Sequence, residues 1–451
     1  MTSFIAKPRE LFDRFDPKYV AFKRRAANFR YPAVKMGSLL SESPEYGAGE
    51  AGIERVDEAT PRYIRITDID ENGELLPGLG MTAANVEPQY FLRDGDLLFA
   101  RSGNTVGKSY LYESERVPYP CFYAGYMIRF RFGEKVLPKY VFAFAQTPYY
   151  HEWVSAIQRS AGQPNINAQE YRSLEIPLPP LSEQRKIVAE LDAAYAAKRA
   201  ADEKATKLLA SIDNMVLNEL GIAKLPKPDT SLSSRIFTVP AKEVANTTLA
   251  PDHYFDSIDF SKAKYPCERF VERIDIDPPC GLEQITKLVP MESVSAEWCA
   301  IESIEDMSPD ATQGYSTFRG GDVIWARITP CMENGKSAVV EAEPSECLCG
   351  STEFLVFRPK DDKVNPYYLQ SLLHLKRFRE VAAHHFTGTS GHQRVTADFF
   401  KSISIPIPPR SVQDRIASTA SSIRAEARKL KADATAALEA AKQTIEEKIM
   451  K

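Results

Sequence analysis

The sequence contains an internal repeat that keeps the same order through nearly its whole length, and no other feature constrains the fold as strongly. The matched segments are 95–101 (GDLLFAR) with 321–327 (GDVIWAR), 107–108 (GK) with 335–336 (GK), 160–163 (SAGQ) with 389–392 (TSGH), and 176–187 (IPLPPLSEQRKI) with 405–416 (IPIPPRSVQDRI). The offset between matched segments drifts only from 226 to 229 residues. Chance is a poor explanation for this conserved order, so the repeat predicts two copies of one domain.

Each copy has the same predicted order of elements. Short apolar runs such as 96–100 and 126–132, separated by Gly and Pro turns, predict β-strands. The segments 139–158 and 366–383 predict helices that follow these strands. A glycine loop, a proline-rich strand end and one long helix complete each copy. We therefore predict an α/β (α+β) fold built from two repeated globular domains.

The two long helices are the clearest elements in the sequence. In the first helix Pro180 ends the preceding strand, Ser182 is the predicted N-cap, and Glu183 suits the first turn. Apolar residues recur at heptad spacing in both helices, and only Lys198 interrupts them. The seams consist of Ile187, Leu191, Ala194, Lys198, Ala201, Ala205, Leu208, Ile212 and Met215, and of Ile416, Ala420, Ile423, Ala427, Leu430, Ala434, Ala437 and Ala441.

Two narrow seams of this length predict that the helices pack together as an antiparallel coiled coil. The alternative is that each helix packs on its own domain. A helix of about 39 residues is roughly 60 Å long, so we expect a rod that separates the two domains. The predicted domains are 1–180 and 223–409, and the predicted spacer helices are 181–222 and 410–451.

These motifs together resemble those of the DNA-specificity subunit of type I restriction-modification enzymes. The resemblance rests on the segments 95–108 (GDLLFARSGNTVGK) and 176–187 and on the repeat, and it covers nearly the whole chain. The second helix start departs from the motif, because Arg410, Val412 and Asp414 replace Leu181, Glu183 and Arg185. The resemblance implies two target-recognition domains, each of which reads one half of a split, asymmetric site in double-stranded DNA.

The resemblance also implies which other molecules work with this chain. The helices are expected to set the gap between the half-sites, and a 60 Å rod spans up to roughly 18 base pairs. They would also dock methylation subunits, two of them, with restriction subunits as further partners. We expect no catalytic residues and no cofactor in this chain, and we expect S-adenosylmethionine to bind the partner methylation subunit.

Polar residues in the glycine loops are the predicted DNA contacts. Arginine can pair with guanine and Asn or Gln with adenine, whereas Lys and Thr more often hold phosphates. The candidates are Arg101, Ser102, Asn104, Lys108, Gln163, Asn165 and Asn167 in the first copy, and Arg327, Thr329, Asn334, Lys336, Gln393 and Arg394 in the second. The alternative is that these loops are turns that define the fold, since both copies keep their glycines.

A basic stretch near the start of the chain adds three more candidates, Lys23, Arg24 and Arg25. No acidic residue lies between Asp16 and Glu42, and aromatic residues are interleaved with the basic ones. This composition suits phosphate contacts with aromatic support, and a solvated helix face is the alternative. The second copy has no equivalent stretch.

Composition and missing motifs narrow the remaining function classes. The net charge of −4 argues mildly against a free-standing nucleic-acid binder, although a local basic patch can suffice. The seven cysteines form no zinc pattern and predict reduced, mostly buried thiols. The sequence contains no signal pattern and no apolar run long enough to cross a membrane, so we expect a cytoplasmic protein.

Two other functions stay open at this stage. Nearly matching tetrapeptides at 277–280 and 365–368 lack residues that an amino-methyltransferase needs, and no Gly-rich S-adenosylmethionine turn precedes either. A methyltransferase with unrecognised motifs is therefore one alternative. The stronger alternative is an adaptor or regulator on the same repeated scaffold that binds protein partners and no DNA, which the net negative charge favours slightly.

Overall fold

A computed structural model describes residues 17–25, 28–158, 164–229, 231, 233–234, 236–244, 251–280, 285–308, 314–343, 346–389 and 393–450. The chain divides into two compact units. The first unit comprises Met1–Ala200 and Asp433–Lys451, and the second comprises Ala201–Ala432. Each of the two long helices therefore contributes residues to both units.

The first unit contains four short helices and ten strands in its described part. Its helices are α1 (Pro17–Arg25), α2 (Pro138–Phe144), α3 (Pro148–Ile157) and α4 (Ala168–Arg172), and the first long helix, α5, is Leu181–Glu219. Its strands are β1 (Ala33–Lys35), β2 (Glu45–Tyr46), β3 (Gly52–Glu54), β4 (Arg62–Ile64), β5 (Met81–Ala83), β6 (Leu97–Ala100), β7 (Ser109–Leu111), β8 (Cys121–Tyr123), β9 (Met127–Phe130) and β10 (Glu175–Pro177).

The second unit continues the same scheme. Its helices are α6 (Ala241–Val244), α7 (Asp252–Phe255), α8 (Phe270–Arg273), α9 (Cys331–Asn334), α10 (Pro366–His374), α11 (Lys376–His384) and α12 (Ala397–Ser402), and the second long helix, α13, is Arg410–Ile449. Its strands are β11 (Cys267–Arg269), β12 (Ile274–Ile276), β13 (Lys287–Val289), β14 (Val294–Ser295), β15 (Ala300–Ile301), β16 (Glu305–Asp306), β17 (Ser316–Arg319), β18 (Val323–Ala326), β19 (Ser337–Val339), β20 (Cys347–Gly350), β21 (Phe354–Pro359), β22 (Phe386–Thr387), β23 (Arg394–Val395) and β24 (Ser404–Pro406).

The sheets repeat as the sequence predicts. One antiparallel sheet has the strand order β2-β9-β6-β7 in the first unit and β12-β21-β18-β19 in the second. A second sheet in each unit contains one parallel pair, β4 with β8 and β13 with β20, but the strands outside this pair differ. The predicted mixed α and β fold with two repeated domains is therefore confirmed, and the copies diverge in the second sheet.

The repeated Gly-Asp turn has a structural role in both units. Buried Asp96 accepts hydrogen bonds from the backbone N–H of Arg93 (2.9 Å) and from the guanidinium of Arg131 (2.6 and 3.0 Å). The same bonds occur in the second unit, where Asp322 accepts from Arg358 at 2.7 Å twice and from a backbone N–H at 2.9 Å. A buried carboxylate needs such partners, so this motif is retained for the fold.

The short helices before each glycine loop differ from the prediction. The segment predicted as one helix over 139–158 forms α2 and α3, and the segment over 366–383 forms α10 and α11. In the first unit Pro148 begins the new helix, with Thr147 as its N-cap. A proline at the first helical position fits there because it lacks only an N–H that would be unsatisfied anyway.

The first long helix begins at Leu181, one residue before the predicted cap. The backbone N–H groups of Glu183 and Gln184 donate to the carbonyl of Pro180 (2.9 and 3.0 Å), so the prediction of Ser182 as N-cap is wrong. Buried Gln184 instead accepts from the N–H of Leu137 (2.9 Å) and donates to Pro179 (2.9 Å). The side chain of Gln413 makes the matching bonds in the second unit (2.8 Å each).

The two long helices are antiparallel within each unit. In the first unit Glu190 pairs with Lys448, and Tyr195 lies within electrostatic range of Glu439. In the second unit Arg415 pairs with Glu219 at 2.6 Å, and Arg424 acts on Asp213. Residue numbers rise along one helix as they fall along the other, so the predicted antiparallel pairing is confirmed inside each unit.

The buried line of the second helix differs from the heptad prediction in its last third. Ile416, Ala427, Leu438 and Ile449 are all fully buried and lie eleven residues apart, whereas Ala437 is exposed. An eleven-residue spacing corresponds to about 3.67 residues per turn, close to an undistorted α-helix. A seven-residue seam drifts away from such a line, which explains why the prediction fails beyond Leu430.

One pair of cysteines contradicts the expectation of reduced thiols. Cys280 and Cys347, 67 residues apart in sequence, are joined in a disulfide in the second unit, with their Cα atoms 6.2 Å apart. The fold brings together the segment after β12 and the start of β20, which sequence spacing does not reveal. Within the described segments, no helix combines the length and apolar character needed to cross a bilayer.

Candidate nucleic-acid interface

The first unit brings two predicted glycine loops together. We name the segments 101–108 and 164–167 the first loop pair. The N–H of Ile166 donates to the carbonyl of Arg101 (2.8 Å), and the N–H of Gly103 donates to Pro164 (3.1 Å). A bridge between Ser102 and Asn165 joins them further. Two loops that lie 60 residues apart in sequence thus form one surface.

The second unit contains the same arrangement. We name the segments 327–336 and 393–396 the second loop pair. The N–H of Val395 donates to Arg327 (2.9 Å), the N–H of Thr329 donates to Gln393 (3.1 Å), and a bridge joins Ile328 to Arg394. The main-chain bonds match those of the first unit one for one, so the repeat extends to the candidate site.

The repeated Gly-Lys pair serves the fold in both loop pairs. The ammonium of Lys108 donates to the carbonyl of Ile69 (3.0 Å) and pairs with Glu71 (2.8 Å), while Lys336 donates to the carbonyl of Met291 (2.7 Å). The preceding Gly107 has φ +92 and would place a Cβ 2.6 Å from Val154. These two lysines therefore tie each loop to the segment that follows β4 in the first unit and β13 in the second.

Among the other predicted DNA contacts, some side chains form hydrogen bonds within the fold and others are exposed. Asn167 is the N-cap of α4 and accepts from the backbone N–H groups of Gln169 and Glu170 (2.9 and 3.0 Å). Thr329 bonds to Glu333 through its hydroxyl. Asn104 and Asn334 are exposed in their loop pairs, and Gln163 lies outside the described residues.

The first loop pair presents an arginine that lies over a tyrosine ring. The guanidinium of Arg101 lies over the ring of Tyr46 at 4.9 Å, and its Nε has no hydrogen-bond partner in the described part of the chain. The N–H of Arg101 donates to the carbonyl of Tyr126 (2.9 Å), whose side chain is 66% exposed. A stacked arginine with an exposed aromatic neighbour suits contact with phosphates or bases.

The second loop pair presents an arginine–glutamate cluster instead. Arg394 donates twice from Nε to the carboxylate of Glu353 (3.0 and 2.8 Å), and Nε of Arg327 lies 3.6 Å from the same carboxylate. The hydrogen bond from Arg394, and then the charges of both arginines, hold the pKa of Glu353 below its usual range. The carboxylate is therefore ionised at neutral pH and neutralises part of this surface.

The basic stretch near the start of the chain forms helix α1 and the segment after it. Val20, Phe22 and Phe29 are buried, and Phe22 and Phe29 pack on Tyr149 with ring centroids 5.1 and 5.0 Å apart. The expected aromatic support for phosphates is therefore wrong for these two rings, because they belong to the core.

The described basic side chains of α1 are exposed. Lys23 is exposed, 3.9 Å from Glu175 and 5.9 Å from the ring of Tyr19, and Arg24 is also exposed. Arg25 ends the helix, and its side chain is outside the described residues. Glu175 and Tyr19 belong to neither glycine loop, so these two contacts do not connect Lys23 to the first loop pair.

Three residues of this surface escaped the sequence analysis. Tyr46 ends strand β2, Tyr126 precedes β9, and Glu353 precedes β21. They reach the loop pairs because, in an antiparallel sheet, the end of one strand lies beside the start of its neighbour. The alignment of the two copies would have placed Glu353 opposite Tyr126, but only the structure shows that the backbone carbonyl of each one accepts from the N–H of an arginine.

Comparison with known families places both loop pairs in matched regions. The model of the type I restriction modification DNA specificity domain matches the chain twice, at residues 80–207 and 294–440, which is more than half of its length. Each match contains one loop pair and most of one long helix.

Individual relatives show the same likeness over shorter stretches. The specificity subunit of the type I restriction enzyme EcoAI from Escherichia coli is 34% identical over 135 residues, which are 30% of this chain and 23% of that protein. The EcoEI specificity subunit, also from Escherichia coli, is 30% identical over 165 residues, 36% of this chain and 28% of that protein. The aligned stretches thus span about a quarter of these relatives.

A solved structure aligns over a greater length. The alignment with the HsdS subunit from Thermoanaerobacter tengcongensis covers 93% of this chain and 96% of that subunit, with 18% identity and a TM-score of 0.36.

Proposed function

Since this chain belongs to the family of type I restriction-modification DNA specificity proteins, we propose that it is the sequence-specific DNA-binding subunit of such an enzyme. Each repeated half reads one part of a split, asymmetric site in double-stranded DNA. The long helices set the gap between the half-sites and dock two methylation subunits, and restriction subunits join the same complex. Methylation and cleavage belong to these partners, with S-adenosylmethionine on the methylation subunit.

The observation that carries the proposal is the double match to the specificity-domain model, with one loop pair in each match. The main-chain geometry of the loop pairs is the same, while their exposed side chains differ. Equal scaffolds with unequal surfaces suit two readers of different half-sites. Arginine, asparagine and tyrosine at these surfaces are side chains that contact bases or phosphates.

The proposal is tested by mapping methylated bases across a genome. The chain is co-expressed with the methylation subunit of its own system in a host that lacks other methylases, and the subunit alone is the control. We expect methylation at a split motif with a fixed gap, only when the chain is present. Removal of seven residues from each long helix should change or abolish that gap.

Two results would overturn the proposal. Methylation at a continuous motif would contradict two separate readers. The same methylation without this chain would leave it no role in target choice and would favour an adaptor that binds protein partners only. Binding of S-adenosylmethionine by the isolated chain would favour the methyltransferase alternative.

A further inference from the structure

The two loop pairs differ at one equivalent position. The N–H of Arg101 donates to the carbonyl of Tyr126, and the N–H of Arg327 donates to the carbonyl of Glu353, both at 2.9 Å. Tyr126 directly precedes β9, and Glu353 directly precedes β21, the matching strand of the repeated sheet. One backbone position therefore carries an exposed aromatic ring in the first unit and a carboxylate in the second.

The carboxylate changes what the neighbouring arginines can do. In the first unit the guanidinium of Arg101 has an aromatic neighbour and no ion pair with any described residue. In the second unit Glu353 holds Arg394 through several hydrogen bonds and attracts Arg327. The side chains of both arginines remain about one-third exposed. They can still contact a ligand, but the carboxylate of Glu353 already compensates part of their positive charge.

An internal carboxylate of this kind affects correct and incorrect DNA differently. Glu353 repels the phosphate backbone of every sequence, so it weakens non-specific binding. It also fixes the plane of the Arg394 guanidinium, and a fixed plane favours an acceptor pair in one position only, such as O6 and N7 of guanine. Selectivity is a difference between affinities, and both effects lower the affinity for wrong sequences more than for the right one.

We propose that Glu353 is a specificity-determining residue of the second half, which restrains Arg394 and Arg327 so that they bind DNA only at the matching base sequence. Tyr126 at the equivalent position leaves Arg101 free to bind the phosphate backbone of any sequence. The two halves thus divide the work unequally, with general affinity from the first and stringent selection from the second. This inference rests on the proposed function.

The first test measures non-specific binding of the full-length chain to a random-sequence duplex. Glu353→Gln should bind several-fold more tightly at low salt than the natural chain. The slope of log affinity against log salt should steepen by about 0.9 for each arginine released to a phosphate. The matched control is Glu346→Gln in the same unit, which removes a carboxylate paired with Lys287 at 2.7 Å. Equal affinities and slopes for both variants would overturn the inference.

The second test makes the reciprocal change at Tyr126, the equivalent exposed position of the first unit. Its result does not depend on whether replacement of Glu353 disturbs folding. Tyr126→Glu places a carboxylate next to Arg101, and it should lower affinity for the random-sequence duplex several-fold. Tyr126→Gln, which adds no charge, is the control. If Tyr126→Glu binds this duplex no more weakly than Tyr126→Gln, then a carboxylate at this position does not control how Arg101 binds DNA, and the inference is contradicted.

Methylation mapping separates failure of this inference from failure of the proposed function. Complexes that contain Glu353→Gln should tolerate additional bases in one half of the split motif and leave the other half unchanged. If the natural chain yields no split motif, the proposed function fails. If the natural chain yields one and Glu353→Gln leaves both halves unchanged, only the role of Glu353 is refuted.

Discussion

Some residues of the repeated motifs anchor the fold through buried hydrogen bonds. Gln184 and Gln413 come from the motif that opens each long helix, and both side chains are fully buried. Each one joins the helix start to the loop before α2 or α10. The sequence identifies such positions because both copies retain them, but it does not distinguish a buried hydrogen bond from a surface contact.

Replacing Gln184 with Ala should destabilise the first unit. The change leaves the partly buried N–H of Leu137 without its acceptor, and an unsatisfied buried donor costs up to roughly 1–3 kcal/mol. The free energy of unfolding from urea titration is the measurement. Gln169→Ala, at an exposed position of α4, is the control and should stay within about 0.5 kcal/mol of the natural chain. Equal stability of both variants would show that the Gln184 bonds do not anchor the helix.

The ring of His374 should make the second unit sensitive to acid. Loss of solvation, reinforced by the charges of Arg424 and Arg379, lowers the pKa of His374 to about 3. The ring also contacts Sγ of Cys299 at 3.4 Å and the carbonyl of Gly335 at 3.2 Å. The ring of the unfolded chain titrates near its ordinary value of 6.5, so between these pH values the unfolded state binds more protons.

Stability should therefore decline as the pH falls below about 6.5, by up to roughly 1.4 kcal/mol per pH unit from this group. The measurement compares urea unfolding of the natural chain and His374→Gln from about pH 7 to about pH 5. The variant should be less stable near neutrality, and the difference should narrow in acid. A difference that stays constant with pH would mean that His374 titrates normally in the folded chain.

At the scale of elements, periodic patterns predicted the long helices and missed the breaks in the short ones. Two long helices, α5 and α13, occur where the apolar periodicity predicts long helices. The segment 139–158 contains a proline that a helix interior would not accept, and the structure begins a new helix there. In α13 the predicted heptad positions Ile416 and Ala427 are buried, whereas Ala437 is exposed and its neighbour Leu438 is buried instead.

Truncation at two leucines distinguishes the seam of the structure from the heptad seam. Leu438→Ala should cost about 2–5 kcal/mol of unfolding free energy, because Leu438 is fully buried in the core of the first unit. Leu430→Ala, at a heptad position that is only partly buried, should cost less. Urea unfolding of both variants is the measurement. A larger loss of unfolding free energy for Leu430→Ala would indicate that the predicted heptad positions form the helix contact.

At the scale of the whole molecule, the repeat made the architecture predictable and left the chemistry of the site undetermined. The order of matched motifs was enough to predict two domains with equivalent glycine loops. It could not indicate that Lys108 and Lys336 bond to backbone carbonyls, or that Glu353 pairs with two arginines, because these contacts join segments distant in sequence. The net charge of −4 is likewise a poor guide, since local arginines define the loop pairs.

The central claim is that two repeated halves each read their own part of a split site. Its most direct test is the affinity of the complex of this chain with its methylation subunits for four duplexes: the mapped motif, one base-pair change in either half, and both changes together. Independent readers predict that each single change costs about 1–3 kcal/mol and that the double change costs their sum. A change in one half that costs nothing, or a double change that costs no more than one single change, would contradict the account.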